Sequence, residues 1–153
     1  MKTQLRTDIT IADICKGLLL EFQQRILALR FPQMPVWDDV TTFREDNPDT
    51  AEVIGQLKAH RDELVIAGGF PCQDISCAGR GAGLSGARSG LWFEYLRIIR
   101  EIQPRWVFAE NSPMLVVRGL DIVLGGLSSS GYDVAWQVLP ASAVGCRHER
   151  KRI

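Results

Sequence analysis

Two uninterrupted apolar runs, Leu64-Val65-Ile66-Ala67 and Trp106-Val107-Phe108-Ala109, bracket a stretch with helical periodicity. This triplet restricts the fold more than any other feature of the chain. A strand that is apolar at every position, rather than at alternate ones, suits a parallel sheet covered on both faces. Parallel strands need a crossover. Leu91 to Ile102 supplies one, an amphipathic helix with Leu91, Tyr95, Ile98, Ile99 and Ile102 facing inward. Both strands are therefore expected to be buried, with their carboxyl ends on one edge. In open sheets of this kind ligands bind at that edge.

The rest of the chain continues the alternation. Ile14, Leu18, Phe22, Ile26 and Leu29 recur at a helical period from about Ile11 to Arg30, and Phe31-Pro32 stops that helix. Val36 to Val40 reads as a short strand followed by a loop, and Pro48 to His60 as a helix with Val53, Ile54 and Leu57 on one face. Gly79, Gly81, Gly83 and Gly86 punctuate a long loop from Gly68 to Gly90, and loops of that length are usually functional. Ser112-Pro113 has the form of a helix start, and that helix is expected to run to about Leu127, with Gly131 just past its end. Val134, Trp136 and Val138 alternate across Tyr132 to Leu139, as in a strand near a sheet edge. The expected fold class is α/β, with an open, mostly parallel sheet and helices on both faces.

At 153 residues the chain has the size of one domain, and its formal net charge of zero excludes electrostatic binding of nucleic acid by the chain as a whole. The basic cluster Arg147-His148-Glu149-Arg150-Lys151-Arg152, taken alone, reads as a solvated tail. Cys15, Cys72, Cys77 and Cys146 form no CxxC pair, and with two histidines a metal site is not expected. Leu18-Leu19-Leu20 is too short a run for a secretory signal, and no stretch is apolar enough for a membrane span. A cytoplasmic chain with reduced thiols and no membrane partner is the simplest expectation.

Most free cysteines are buried as small hydrophobes, and Cys15 and Cys77 fit that description. Cys72 differs. It follows Pro71 in a turn at the end of a strand and precedes the glycine-rich loop, as a presented nucleophile would. Glu110 ends the second apolar run and could bring a carboxylic acid to the same edge. A lone carboxylate there is more often solvated or capping. Neither His60 nor His148 has a sequence setting that suggests a general base, which argues against a cysteine hydrolase.

The order of these segments resembles the DNA (cytosine-5) methyltransferase family. Gly69-Phe70-Pro71-Cys72-Gln73 with Ser76 is similar to its nucleophile motif. Gly79-Arg80-Gly81 and Ala87 to Glu94 look like its loop and following helix. Glu110-Asn111-Ser112 resembles its Glu-Asn-Val motif. Val144 to Ile153 resembles its Gln-x-Arg-x-Arg motif, with His148 in the glutamine place and Arg150 and Arg152 in the arginine places. Pro35 to Val40 is similar to the segment that supplies an acidic residue to the cofactor adenine.

The resemblance implies a Rossmann-like class I methyltransferase fold with an incomplete sheet. It implies a mechanism on double-stranded DNA with a flipped cytosine, and S-adenosylmethionine as methyl donor. Cys72 would attack C6, Glu110 would stabilise the adduct at N3, and Arg152, with Arg150 beside it, would hold the base. Asn111 would position the loop around Pro71-Cys72. Asp39, Pro71 and Leu91 would contact the cofactor, and Gln73, Ser76 and Arg88 the DNA. A prokaryotic or phage-type setting follows from the same family.

The family's Phe-x-Gly-x-Gly cofactor turn has no counterpart before Phe22, and no target-recognition domain is present. Residues 1–21 are therefore expected to be a divergent segment and residues 22–153 a partial catalytic domain. Such a chain would be a fragment, a degraded gene product or one part of a split enzyme, active with a complementing methyltransferase fragment. The competing readings are an inactive remnant that binds nucleic acid weakly and, less favoured, an RNA cytosine-5 methyltransferase.

Overall fold

Asn47 and Pro48 start the first helix as their chemistry dictates. The Asn47 side chain accepts a hydrogen bond from the Asp49 backbone N–H at 3.1 Å, and Pro48 takes the first helical position, where it loses no helical bond. The architecture comes from a computed structural model that describes residues 25–27, 29–32, 36–70 and 90–153. In chain order, α1 spans Pro48–Ala59, a 3-10 turn spans Arg61–Glu63, and β1 spans Val65–Gly69. Then come α2 at Gly90–Ile102 and β2 at Trp106–Glu110. The short helix α3 covers Leu115–Arg118, and α4 covers Leu120–Ser128. The strand β3 at Leu139–Pro140 pairs antiparallel with β4 at Lys151–Arg152.

β1 and β2 lie side by side and parallel, with Val65 opposite Trp106 and Gly69 opposite Glu110. The expected β-α-β unit is present, in an α/β arrangement. The helix face of α2 is broader than periodicity indicates. Tyr95, Ile98, Ile99 and Ile102 are buried as expected, Leu91 is partly buried, and Trp92 and Leu96 join them in the core. Ile54 of α1 and Val123 and Leu127 of α4 complete that core with Leu64 and Ile66. Gly126 lets α4 approach α2, since a Cβ there would stand 2.9 Å from Leu96 Cδ2 and 3.3 Å from Trp92 Cζ2.

The expectation of two covered faces is corrected. Ile66 and Gly68 share the helix-covered face with Val107 and Ala109, but Trp106 and Phe108 on the other face are 57% and 63% exposed. No described element lies over them. Four local expectations also change. Residues 36–40 form no strand, because Asp39 folds the segment into a turn. Its Oδ1 accepts from the Thr41 backbone N–H and hydroxyl at 2.9 and 2.7 Å, and its carbonyl accepts from Thr42 N–H. Val53 is exposed, so the buried stripe of α1 is narrower than expected. The helix expected from Ser112 to Leu127 begins at Leu115 and is broken at Gly119, whose φ of 157° lies outside the range of helical L-residues. Of Tyr132 to Leu139, Leu139 alone belongs to a strand.

The Asp39 turn is clamped to α2. Arg97 Nη2 donates to the carbonyls of Val40 and Phe43 at 3.1 and 3.0 Å. Its Nε and Nη1 bind Glu94 and Glu101, each at 2.7 Å. Arg44 reaches the same Glu94. One planar guanidinium thus satisfies four acceptors, a geometry that an ammonium cannot reproduce. Arg97→Met should lower stability by about 2 kcal/mol and Arg97→Lys should restore less than half of it, both read by urea unfolding.

Tyr95 fixes α2 to the strand pair. Its hydroxyl donates to the Phe108 carbonyl at 3.0 Å, and burial pushes its pKa up. The folded phenol therefore ionises above the unfolded value of about 10. Its contribution is complete below that pH and is lost as the pH rises beyond it. Alkaline unfolding should accordingly be shallower in Tyr95→Phe than in the unchanged chain, measured by circular dichroism against pH.

Candidate active site

The β1–β2 register brings Gly69 level with Glu110, so the segment after β1 and the segment after β2 leave the sheet at one edge. Asn111 is the first residue past β2, and it is 3% exposed. Its Nδ2 donates to the Phe70 carbonyl at 2.8 Å, and its Oδ1 accepts from the Ser112 N–H at 2.7 Å. A buried carboxamide with both ends satisfied is a rigid tie. Here it holds the backbone immediately before Pro71 against the backbone immediately after Glu110. Phe70 itself is buried and packs on Trp92 with ring centroids 5.0 Å apart.

The main chain of Asn111 makes a second tie. Its N–H donates to the Ile153 carbonyl at 2.8 Å, and the Ile153 N–H donates to its carbonyl at 3.0 Å. That reciprocal pair places β4 beside the end of β2. Arg152 Nε consequently meets Glu110 Oε1 in an ion pair, with both side chains partly exposed. Glu110 Oε2 makes no hydrogen bond among the described residues. Arg152 Nη1 donates to the Lys151 carbonyl at 2.9 Å, which steadies the guanidinium.

Glu110, Asn111 and Arg152 therefore converge. Arg150 stands on the same terminal segment but is exposed, with its carbonyl accepting from Ala141 N–H. Asp39 sits half-buried in the turn clamped by Arg97, and Leu91 is at the start of α2, partly buried against the core. Pro71, Cys72, Gln73, Ser76 and Arg88 lie outside the described residues, as do Cys15 and Cys77. Sequence reasoning missed two participants, the Phe70 carbonyl and the Ile153 backbone. Neither carries a side-chain signature, because both act through main-chain groups. Among the described residues no cluster of metal-ligating side chains occurs, and no helix is long and apolar enough to cross a membrane.

Asn111→Ala should cost about 2 kcal/mol, because Phe70 O and Ser112 N–H lose their partner in a buried setting. Asn111→Asp should cost more, since it removes the donor and turns an anion toward a carbonyl. Urea unfolding of the two variants checks that order.

The sequence profile described as C-5 cytosine-specific DNA methylase matches residues 22–153. The type II methyltransferase M.CviJI of Paramecium bursaria Chlorella virus IL3A is 34% identical over 86% of this chain and 33% of its own length. M.NgoPII of Neisseria gonorrhoeae is 33% identical over 95% of this chain and 46% of its own length. M.Sau3AI of Staphylococcus aureus is 32% identical over 70% of this chain and 28% of its own length. The chain thus spans less than half the length of these curated relatives. With the profile covering most of its residues, the chain belongs to the C-5 cytosine-specific DNA methylase family.

Proposed function

We propose that this chain carries the reacting groups for methyl transfer to C5 of cytosine in DNA, and that it works together with a complementing methyltransferase fragment. The observation that carries the reading is the Asn111 tie. It joins the residue before Pro71-Cys72 to the segment that pairs Glu110 with Arg152. Cys72 lies two positions along the chain from Phe70, a reach of at most about 7 Å. The nucleophile, the acid and the arginine would then share one edge.

The chemistry follows from the groups. The Cys72 thiolate adds to C6 of a flipped cytosine, forming an S–C6 bond while the C5–C6 π pair moves toward C5 and N3. Glu110, once it has taken up a proton, would donate that proton or a hydrogen bond at N3. Arg152 holds one of its oxygens, leaving Oε2 to face the base. Arg152 would also hold the base by donating a hydrogen bond to its O2 and add positive charge near the thiolate, with Arg150 in the same cluster. S-adenosylmethionine would supply the methyl group that C5 takes up. Loss of the C5 proton to a base and departure of the thiolate restore the aromatic ring.

The residues present fit the adenine end of that cofactor, since Asp39 offers a carboxylate on a clamped turn, with Pro71 and Leu91 as apolar neighbours by family position. No Phe-x-Gly-x-Gly turn for the methionine end occurs in residues 1–153, and no residue among them is assigned to that end. Gln73, Ser76 and Arg88 would contact the DNA. The exposed Arg147, Arg150 and Lys151 also support a second reading, weak nucleic-acid binding without catalysis.

DNA containing 5-fluorocytosine separates the two readings, because fluorine at C5 cannot leave as the proton does and the adduct persists. With a complementing fragment and S-adenosylmethionine, Cys72 should be trapped covalently. Cys72→Ser should give no adduct, and Glu110→Gln should slow trapping by roughly 100-fold or more. If the fragment restores cofactor binding and no adduct forms, the proposal is wrong. Salt-sensitive DNA binding unchanged by Cys72→Ser would then support the second reading.

A further inference from the structure

Arg44 is held by two helices at once. Its backbone N–H donates to the hydroxyl of Thr50, a buried residue of α1, at 3.2 Å, and that hydroxyl donates to the Arg44 carbonyl at 2.6 Å. Its guanidinium reaches α2, where Nη2 donates to Glu94 at 3.2 Å and Glu94 also accepts from Arg97. So fixed, Arg44 turns its Nε onto the Thr41 carbonyl at 2.6 Å.

Thr41 is thereby tied at its carbonyl, and its two donors meet at one atom. The backbone N–H and the hydroxyl donate to Asp39 Oδ1 at 2.9 and 2.7 Å. The N–H alone closes a turn of this kind. The hydroxyl is not needed for the backbone path. What it adds is control of the carboxylate's own rotation, a torsion that is broad in aspartates at large. Two donors on one oxygen give the group one orientation. Glu94, Arg44, Thr41 and Asp39 thus form a relay from the middle of α2 to a single carboxylate.

We propose that Thr41, steadied by Arg44, is a positioning residue for the adenine end of the methyl donor, aiming the Asp39 carboxylate at the exocyclic amine of the base. This rests on the reading of Asp39 given under the proposed function. An ionised carboxylate only accepts hydrogen bonds, and the exocyclic amine of adenine is a donor. Such a bond weakens steeply as its angle departs from linear. A carboxylate that turned about its own axis would meet the amine poorly, whereas one held by Thr41 distinguishes a base that carries the amine from one that does not. Thr41 and Arg44 act through Asp39 and need no contact with the base.

Adenosine and purine riboside are the probes, the second lacking the amine and putting no donor in its place. Each is titrated into the isotope-labelled full chain, with the amide resonances of Val40 and Thr42 reporting binding. The unchanged chain should bind adenosine about tenfold or more tightly than purine riboside, as befits a hydrogen bond to a charged group. Thr41→Val keeps the shape and the backbone N–H, and it should cut that preference to about threefold or less. Thr41→Ser keeps the hydroxyl and should keep the preference. A residue that merely stabilised the turn would weaken both nucleosides alike. A preference retained in Thr41→Val, or lost equally in Thr41→Ser, therefore overturns the proposal and leaves Asp39 as the adenine acceptor. No preference in the unchanged chain sinks the reading of Asp39 itself, and the proposal with it. Should Thr41→Val not fold, Arg44→Met decides in its place, since it withdraws the support of Thr41 without altering either donor to Asp39. It should lower the preference about twofold or more, and an unchanged preference there overturns the proposal.

Discussion

One buried carboxamide, that of Asn111, holds the working edge of this molecule together. It faces two stretches of backbone that the sequence keeps apart, the exit of β1 at Phe70 and the turn beginning at Ser112. Its main chain at the same time pairs with Ile153. An asparagine suits this because its side chain presents a donor and an acceptor on one plane, so both backbone demands are met without charge. The Glu110–Arg152 pair depends on it, since neither of those partly exposed side chains would be held opposite the other by their own attraction in water.

Among the described residues, the sheet above that edge is covered on one face. On the helix side, Ile66 and the aromatic and aliphatic face of α2 form a continuous core with α4. On the other side Trp106 and Phe108 meet solvent. The uninterrupted apolar runs were correct indicators of parallel strands but not of what covers them. A sequence run records that both faces are suited to burial, while coverage depends on which other segments arrive.

Legibility therefore follows a physical divide. Helices α1 and α2 were readable because a helix closes its hydrogen bonds within itself, and its apolar stripe is visible in one window. The strand-like patterns at 36–40 and 132–139 were misleading because a strand is completed by its neighbour. At the first, Asp39 and Thr41 offered the backbone a local alternative. At the second, the ladder reaches no further than Leu139. The break at Gly119 was missed because glycine within a helix is often tolerated, and nothing nearby marks a positive φ. At the site, Glu110, Asn111 and Arg152 were readable as an ordered set of residue types. Their direct contact was not, since it depends on the antiparallel return of β4.

The Arg97 clamp has a consequence for motion. Loops that open on their own are held by few contacts, and they charge any ligand the entropy of ordering them. The turn bearing Asp39 is different, because its carbonyls at Val40 and Phe43 are bonded to a side chain rooted mid-way along α2. It can open only by leaving that guanidinium behind with two carbonyls fewer to serve. Whatever meets Asp39 thus meets a surface already set in place, and its affinity is not diminished by the folding of its own binding loop.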